Sequence, residues 1–173
     1  MNQIIVISGK QYSGKDTLAK ILLEKLDGFK RIGIGDAIKI RYAQNKGFEL
    51  DEIIKNKHLY RADLIKLGDW GRAQNPDYWL NIMSDMDKII VPDIRVEHEA
   101  EFFKQKGAFL VRVNSTYEAR SSRGIITNND DNTEVALDDY KNWNIVIDNN
   151  SDLKALKKRA DEVIDSFMKY IVC

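Results

Sequence analysis

The sequence predicts an α/β fold in three layers, with a parallel sheet of about five strands between two layers of helices. Five short apolar runs have the length of buried strands, and segments of helical periodicity alternate with them. Strands that alternate with helices are joined by right-handed crossovers, which produce a parallel sheet. The chain has 173 residues, enough for one domain with a sizeable core. We therefore predict a single domain over residues 1–173.

The first apolar run, Ile4–Ile7, and the loop after it carry the strongest functional signal. A buried strand, a glycine turn and the start of a helix are the context of a phosphate-binding loop. The glycines let the backbone curl so that its N–H groups, the positive end of the helix and Lys15 all face one anion. This pattern predicts that the phosphates of a nucleoside triphosphate bind to Gly9, Lys10, Gln11, Tyr12, Ser13, Gly14, Lys15, Asp16 and Thr17.

The remaining core elements follow in order along the chain. The other predicted strands are Phe29–Ile34, Lys88–Val91, Ala108–Val113 and Ile145–Ile147. Between the third and fourth of the five strands, Val96, Ala100 and Phe103 share one helical face, which Gly107 terminates. The last helix carries apolar residues at helical spacing from Leu153 to Ile171, with Ser151 as its predicted N-cap.

Two segments lie outside this minimal layered core. Residues 36–86 form a predicted helical insertion between the second and third strands, and residues 114–144 are polar. A polar segment of this length in a compact domain is typical of a functional lid or of a disordered segment. An insertion and a lid on either side of a phosphate loop predict a two-substrate site that closes around its ligands.

Arginine pairs occur in both segments. In the helical segment 60–74, Arg61, Gly68 and Arg72 fall on one face because successive residues turn by about 100°. This stripe offers two guanidinium groups and a gap where a ligand approaches the backbone. In the lid, Arg120 and Arg123 share a helix face, and cations there stabilise a transferring phosphoryl group. The alternative for both pairs is an ordinary solvated surface.

A third group of candidates lies at the predicted carboxyl ends of strands, where open α/β sheets bind ligands. Asp93 is a candidate to hold magnesium through water, and Arg95 to bind an acceptor phosphate. The alternative is a helix-starting aspartate beside a surface arginine. Asp36 is placed similarly after the second strand. The acceptor-binding candidates together are Asp36, Lys39, Arg41, Arg61, Arg72, Asp93 and Arg95.

Several classes of protein are disfavoured. The 27 basic and 27 acidic residues give a formal net charge of zero, which argues against general binding to nucleic acid or anionic membranes. Neither an Asn-Lys-x-Asp nor an Asp-x-x-Gly motif occurs, which disfavours a GTPase. We expect a soluble, cytoplasmic protein without a disulfide framework, because there is no long apolar run, no leader pattern and a single cysteine, Cys173.

The absence of a candidate general base bears on the type of acceptor. No general base is apparent near the candidate residues. A phosphate monoester needs none, because its second pKa is near ~6 and its oxygen is already anionic at neutral pH. The residues therefore favour a phosphate over an alcohol as the acceptor, with arginines to offset the repulsion between two polyanions.

With these residues assembled, the chain resembles two related groups of small kinases. Its phosphate loop is similar to that of animal-type phosphomevalonate kinases, as are Arg61 to Asn75-Pro76, Asp93-x-Arg95, Arg120 to Gly124, and Asp130-Asp131 followed by Leu137-Asp138. The phage-type deoxynucleoside monophosphate kinases share Ser13–Thr17 and a corner similar to Val91–Arg95 with His98-Glu99 after it. Both resemblances imply a P-loop, nucleoside-monophosphate-kinase-like fold and ATP with Mg²⁺.

The departures from these families bear on the acceptor and on the metal. Animal phosphomevalonate kinases carry basic residues where this chain has Gln11 and Tyr12, and a second arginine where it has Val96. Asp16 stands where many phosphate loops place a hydroxyl on magnesium, so the metal is expected at Asp16 or Asp93, directly or through water. The insertion supplies rings on which a base can stack, namely Tyr42, Trp70, Tyr78 and Trp79.

The sequence thus predicts a kinase that transfers the γ-phosphoryl group of ATP to a small phosphate monoester. Lys15, Arg120 and Arg123 are the predicted catalytic residues. The expected acceptor is a (deoxy)nucleoside monophosphate, with phosphomevalonate as the alternative. A regulatory module that binds nucleotide without turnover is the second alternative.

Overall fold

The structure is a computed structural model that describes residues 2–127, 129 and 132–172. The chain divides into two compact units. The first comprises residues 1–31 and 87–173 and contains the sheet, and the second comprises residues 32–86 and contains helices. The prediction of one domain with an insertion over about 36–86 and a lid over about 114–144 stays a prediction.

The sheet of the first unit has five parallel strands in the order β2-β3-β1-β4-β5. Val6 of the central strand lies opposite Val91 on one side and Leu110 on the other. The predicted fold class, an α/β protein with a parallel five-stranded sheet, is therefore confirmed. The strands are β1 Ile4–Ser8, β2 Lys30–Arg31, β3 Ile89–Val91, β4 Phe109–Asn114 and β5 Ile145–Asp148.

Nine helices are found in the described part of the chain, α1 to α9 in chain order. Those of the first unit are α1 Lys15–Lys25, α6 Glu97–Gln105, α7 Tyr117–Ser121, α8 Asn132–Val135 and α9 Leu153–Val172. Those of the second unit are α2 Ile34–Lys46, α3 Leu50–Lys55, α4 Lys57–Gln74 and α5 Tyr78–Ser84.

Helices of the first unit cover both faces of the sheet. Alternate side chains of β1 and β4, among them Ile5 and Val111, join apolar residues of α1 and α9 in one buried core. The crossover from β3 to β4 runs across the sheet in the direction opposite to that from β1 to β2. Because both crossovers are right-handed, α6 lies on the other face, where it packs against β4. The carboxyl edge of the central strand is left for the loop that follows it.

The second unit is a small cluster of helices around α2, which packs against α3, α4 and α5. Its core contains Tyr42, Ile53 and Leu64. Trp79 of α5 is 2% exposed and donates its indole N–H to the carbonyl of Gly68, 3.0 Å away. Gly71 has no side chain to collide with this indole. Trp79 therefore joins α5 to α4.

Two local predictions were wrong. The second strand was expected over Phe29–Ile34, but β2 has only two residues, both exposed, and Ile34 already begins α2. The carboxylate of Asp36 accepts the N–H of Gly33 at 3.0 Å, which caps the helix and ends the strand early. The N-cap of α9 was expected at Ser151, whereas Asp152 accepts the N–H of Ala155 at 2.8 Å.

No helix in the described ranges is both long enough and apolar enough to cross a membrane.

Candidate active site at the phosphate loop

The candidate phosphate loop joins β1 to α1 and lies at the carboxyl edge of the central strand. Gly14 precedes α1 in the left-handed conformation, with φ of 97°, which glycine adopts without strain. A Cβ at this position would also overlap the side-chain amide of Asn149. That amide, on the residue after β5, donates to the carbonyl of Ser13 at 2.8 Å and is buried. Gly14 and Asn149 together fix the backbone of the loop.

Lys15 is the first residue of α1 and is only 8% exposed. Burial lowers the pKa of its ammonium group, because the charged form loses hydration. Asp16 raises this pKa, Arg95 lowers it, and Glu134 and Asp93 raise it. Carboxylates and a guanidinium group therefore surround the lysine, which is a cation poorly shielded by water.

The predicted lid arginines are hydrogen-bonded to the loop. Arg120 of α7, 4% exposed, donates to the carbonyl of Gln11 at 3.3 Å. Arg123 donates to the carbonyl of Tyr12 at 3.1 Å and to that of Asn149 at 2.8 Å. The structure thus places both arginines against the loop that contains Lys15, and Arg123 holds the backbone of this loop.

Two carboxylates from the segment after these arginines also bind the loop. Glu134 of α8 accepts the N–H of Gln11 at 2.8 Å and pairs with the guanidinium of Arg95, also at 2.8 Å. Asp138 pairs with Lys10 at 2.6 Å and with Arg112 of β4 at 3.1 Å. The related prediction for Asp130-Asp131 lies outside the described residues.

A cavity of about 490 Å³ opens at the loop. It is lined by loop residues from Gln11 to Thr17 and, from the predicted lid, by Arg123, Ile125 and Thr127. The ring of Tyr12 lies so close to Gly124 that any Cβ there would collide with it. The side-chain oxygen of Gln11 accepts the N–H of Thr127 at 3.1 Å. The lid segment therefore closes one side of the cavity.

The two predicted metal ligands lie near Lys15, since both carboxylates act on its pKa. Asp16 is well exposed and pairs with Arg31 at 3.4 Å, and Asp93 follows β3. Across the described residues, no three His, Cys, Asp or Glu side chains group closely enough to hold a metal ion. One or two carboxylates fit Mg²⁺, which is commonly bound together with phosphate oxygens and retained waters.

The acceptor-binding candidates are divided between the two units. Asp93 and Arg95 belong to the first unit. In the second, Lys39, Arg61 and Arg72 line one cavity of about 320 Å³, with Lys57 and an apolar wall that includes Leu64 and Ile65. Arg72 also pairs with Asp69 at 2.7 Å.

Asp36 and Arg41 do not line this cavity. Asp36 pairs with Lys39 at 2.8 Å and caps α2, and Arg41 is half-buried. The gap expected at Gly68 is narrow, because Ile38 and the Arg72 guanidinium lie directly over this glycine.

The four aromatic residues of the second unit differ in exposure. Tyr42 and Trp79 are buried in the unit and present no free ring face. Trp70 is half-exposed and meets Tyr78 edge to face, with ring centroids 5.3 Å apart. Only this pair remains available to stack on a base.

Sequence reasoning missed the roles of Asn149 and Glu134. Asn149 directly follows β5 at the carboxyl edge of the sheet, so its position was a usable signal. Glu134 lies within a polar segment that contains several other acidic residues, and nothing in its spacing distinguishes it.

Two family models match the chain, each over more than half its length. The model described as phosphomevalonate kinase matches residues 7–109, and the model described as deoxynucleotide monophosphate kinase matches residues 61–160. A curated relative, phosphomevalonate kinase of Drosophila melanogaster, is 28% identical over 172 aligned positions. That alignment covers 88% of this chain and 91% of the relative.

The fold is also similar to that of solved kinases. Shikimate kinase from Aquifex aeolicus is 16% identical with a TM-score of 0.56, and the match covers 94% of this chain and 96% of that one. Shikimate kinase from Acinetobacter baumannii, solved with shikimate, is also 16% identical with a TM-score of 0.56 and coverages of 98% and 94%. At this identity the likeness concerns the fold alone.

The loop geometry predicts the effect of Asn149→Ala. The substitution removes the hydrogen bond to the Ser13 carbonyl and frees the loop to lose the shape that faces a phosphate. We expect ATP to bind about tenfold more weakly, the equivalent of about 1.4 kcal/mol and the scale of one buried hydrogen bond. Isothermal titration measures this, with Asn45→Ala, at an exposed position of α2, as the control. Equal dissociation constants for Asn149→Ala and the parent protein would contradict the assignment.

Proposed function

The chain belongs to the group of P-loop kinases that comprises the phosphomevalonate kinases and the deoxynucleotide monophosphate kinases, and we propose that it phosphorylates a small phosphate monoester with ATP. The first candidate for the acceptor is a (deoxy)nucleoside monophosphate. The observation that carries the proposal is the glycine loop between β1 and α1, whose residues Gln11, Tyr12 and Gly14–Thr17 line one cavity that includes the buried Lys15.

Lys15 and the loop supply the donor side of the proposed reaction. The N–H groups at the start of α1 and the ammonium group of Lys15 attract the β- and γ-phosphates of ATP. Burial makes this attraction stronger than it would be in water, because less solvent screens it. The positive charge therefore acts where negative charge develops in the transition state.

Arg120 supplies a further cation on the lid side of the loop. Its Nε is buried and has no hydrogen-bond partner among the residues that the structure describes. This leaves a donor for an anion, although the same guanidinium group holds the Gln11 carbonyl. Arg123, with four acceptors within the protein, contributes mainly by holding the loop and the lid together.

The proposed transfer is a direct displacement at phosphorus. An oxygen of the acceptor phosphate forms a bond to the γ-phosphorus, the bond to the β–γ bridging oxygen breaks, and ADP leaves with that electron pair. The acceptor is already ionised at neutral pH, so no general base is needed. The protein has to bring two polyanions together and balance their charge.

Mg²⁺ is proposed as the metal that accompanies ATP, and it supplies positive charge to the phosphate oxygens. Asp16 and Asp93 are the carboxylates that would hold it, directly or through water. Both carboxylates raise the pKa of Lys15, which supports this assignment because a carboxylate has to lie near the ammonium group to do so.

Two features support a nucleotide as the acceptor. The cations Lys39, Arg61 and Arg72 share a cavity with an apolar wall, which suits a phosphate attached to a flat apolar group. Gln11 and Tyr12, where animal phosphomevalonate kinases carry cations, contact the lid segment through Thr127 and Gly124. They therefore add no positive charge for a second anionic group.

Phosphomevalonate is the second candidate, because the similarity to the Drosophila phosphomevalonate kinase extends over nearly the whole chain. This acceptor carries a carboxylate as well as a phosphate. It therefore needs a second anion site, for which Lys57 is the available cation in the second unit's cavity.

A coupled assay of ADP release tests the proposal, with deoxynucleoside monophosphates, ribonucleoside monophosphates and phosphomevalonate tried in turn. A kinase forms ADP only when its acceptor is present. A regulatory module would bind ATP and show no turnover that depends on any acceptor, and that result would contradict the proposal.

Lys15→Ala should lower acceptor-dependent turnover by at least ~10²-fold, the scale of one lost electrostatic contact in a transition state. Lys20→Ala removes an exposed lysine from the same helix and serves as the matched control. Circular dichroism checks that both variants fold. Near-normal turnover by Lys15→Ala would show that the loop assignment is wrong.

At least one deoxynucleoside monophosphate should be phosphorylated with a higher kcat/KM than phosphomevalonate. A site with cations for two anionic groups leaves one cation unpaired when the ligand carries a single anionic group. A site with cations for one anionic group has no partner for the carboxylate of phosphomevalonate. Initial rates with both acceptors, ATP and magnesium measure the ratio. The reverse order would overturn this ranking and leave the kinase class intact.

A further inference from the structure

One carboxylate connects the phosphate loop to an arginine in the loop that follows the neighbouring strand β3. Oε2 of Glu134 accepts the backbone N–H of Gln11, and Oε1 pairs with Nη1 of Arg95, each at 2.8 Å. The side chain of Glu134 is only 3% exposed, while that of Arg95 is 40% exposed. The buried carboxylate therefore holds an arginine that is still accessible to a ligand.

The energetics of this bridge differ from those of a surface ion pair. A surface pair contributes little because water screens it and both side chains lose freedom. Here the carboxylate is almost fully buried, so its two hydrogen bonds are needed to offset the loss of hydration. Removing its charge leaves Arg95 without this partner and free to turn away from the loop.

The surrounding segment fixes the position of Glu134. Leu137, three residues later, is 3% exposed, and Asp138 pairs with Lys10 and Arg112. Segment 134–138 is therefore anchored to the loop at two points by carboxylates. Of these two carboxylates, Glu134 is the one that pairs with Arg95, which lies between β3 and α6.

We propose that Glu134 is a positioning residue that holds the Arg95 guanidinium against the phosphate loop, so that this cation acts on the transferring phosphoryl group. The inference rests on the proposed function, because it assigns a role within phosphoryl transfer. Glu134 acts through Arg95 and contacts no phosphate itself. Its own negative charge is directed at the guanidinium and at a loop N–H, and it supports the protonated form of Lys15.

A positioning role predicts that a change at Glu134 affects turnover more than nucleotide binding. An interaction that orients a group for the transition state changes kcat, whereas a general weakening of the site raises KM. Glu134→Gln keeps the shape and an acceptor oxygen but removes the charge. We expect kcat to fall about tenfold or more, because a catalytic cation that moves by up to about 1 Å loses much of its effect on the transition state. The KM for ATP should change less than about threefold.

A double-mutant cycle with Arg95→Ala identifies the residue through which Glu134 acts. If Glu134 works by placing Arg95, the double variant should have the kcat of Arg95→Ala alone, because the second change has nothing left to disturb. If the two losses multiply, Glu134 acts independently of Arg95 and the proposal is overturned.

Asp139→Asn is the matched control, since it removes one exposed carboxylate five residues further along the same segment. It should leave kcat unchanged. Thermal melting of each variant detects loss of fold, and Glu134→Asp, which restores the charge, should recover part of the kcat that Glu134→Gln loses. The proposal would be overturned if a folded Glu134→Asp protein had a kcat no higher than that of Glu134→Gln and Asp139→Asn lost as much kcat as Glu134→Gln does.

The parent protein separates this inference from the proposed function. If it shows no acceptor-dependent ADP release, the proposed function fails and this inference fails with it. If it turns over an acceptor and Glu134→Gln does so at the same rate, only the inference about Glu134 is wrong.

Discussion

The hydrogen bond from the Asn149 amide to the carbonyl of Ser13 is the contact on which the geometry of the candidate site depends. It holds the Ser13 carbonyl in place, and the amide lies against Gly14, whose left-handed backbone precedes α1. Because Asn149 directly follows β5 and the loop directly follows β1, the parallel sheet sets the distance between the two. The register of the buried strands thus determines the shape of the candidate phosphate-binding loop.

Charge balance is the second constraint on this site. The cavity at the loop contains the buried Lys15, and the protein tolerates this cation before any phosphate is bound because Asp16, Glu134 and Asp93 lie close by. Glu134 acts on Lys15 and pairs with Arg95, and Asp138 of the same short segment pairs with Lys10 and Arg112. The same segment therefore contacts the loop and stabilises its cations. The proposed lid thereby contributes to the charge balance that the proposed phosphoryl transfer needs.

Local patterns in the sequence were enough for the sheet, the loop and the grouping of Arg61 with Arg72, since each depends on periodicity or on a short motif. They were not enough for β2, where the Asp36 cap shortens an apolar run, or for the contacts of Glu134 and Asn149, which are more than 120 residues from their loop partners. Contacts of that range are set by how strands and lid segments pack, and no spacing in the chain encodes them. The same limit applies to the acceptor, because the candidate cations come from separate units of the chain.

The central claim is that the backbone of Gly9–Thr17 binds the phosphates of ATP, and hydrogen–deuterium exchange tests it directly. With ATP and magnesium, the amides of this loop and of the first turn of α1 should exchange more slowly, because their N–H groups become hydrogen-bonded to phosphate oxygens. Adenosine at the same concentration should give no such protection. Equal protection by adenosine, or no change with ATP at concentrations that saturate binding, would contradict the account.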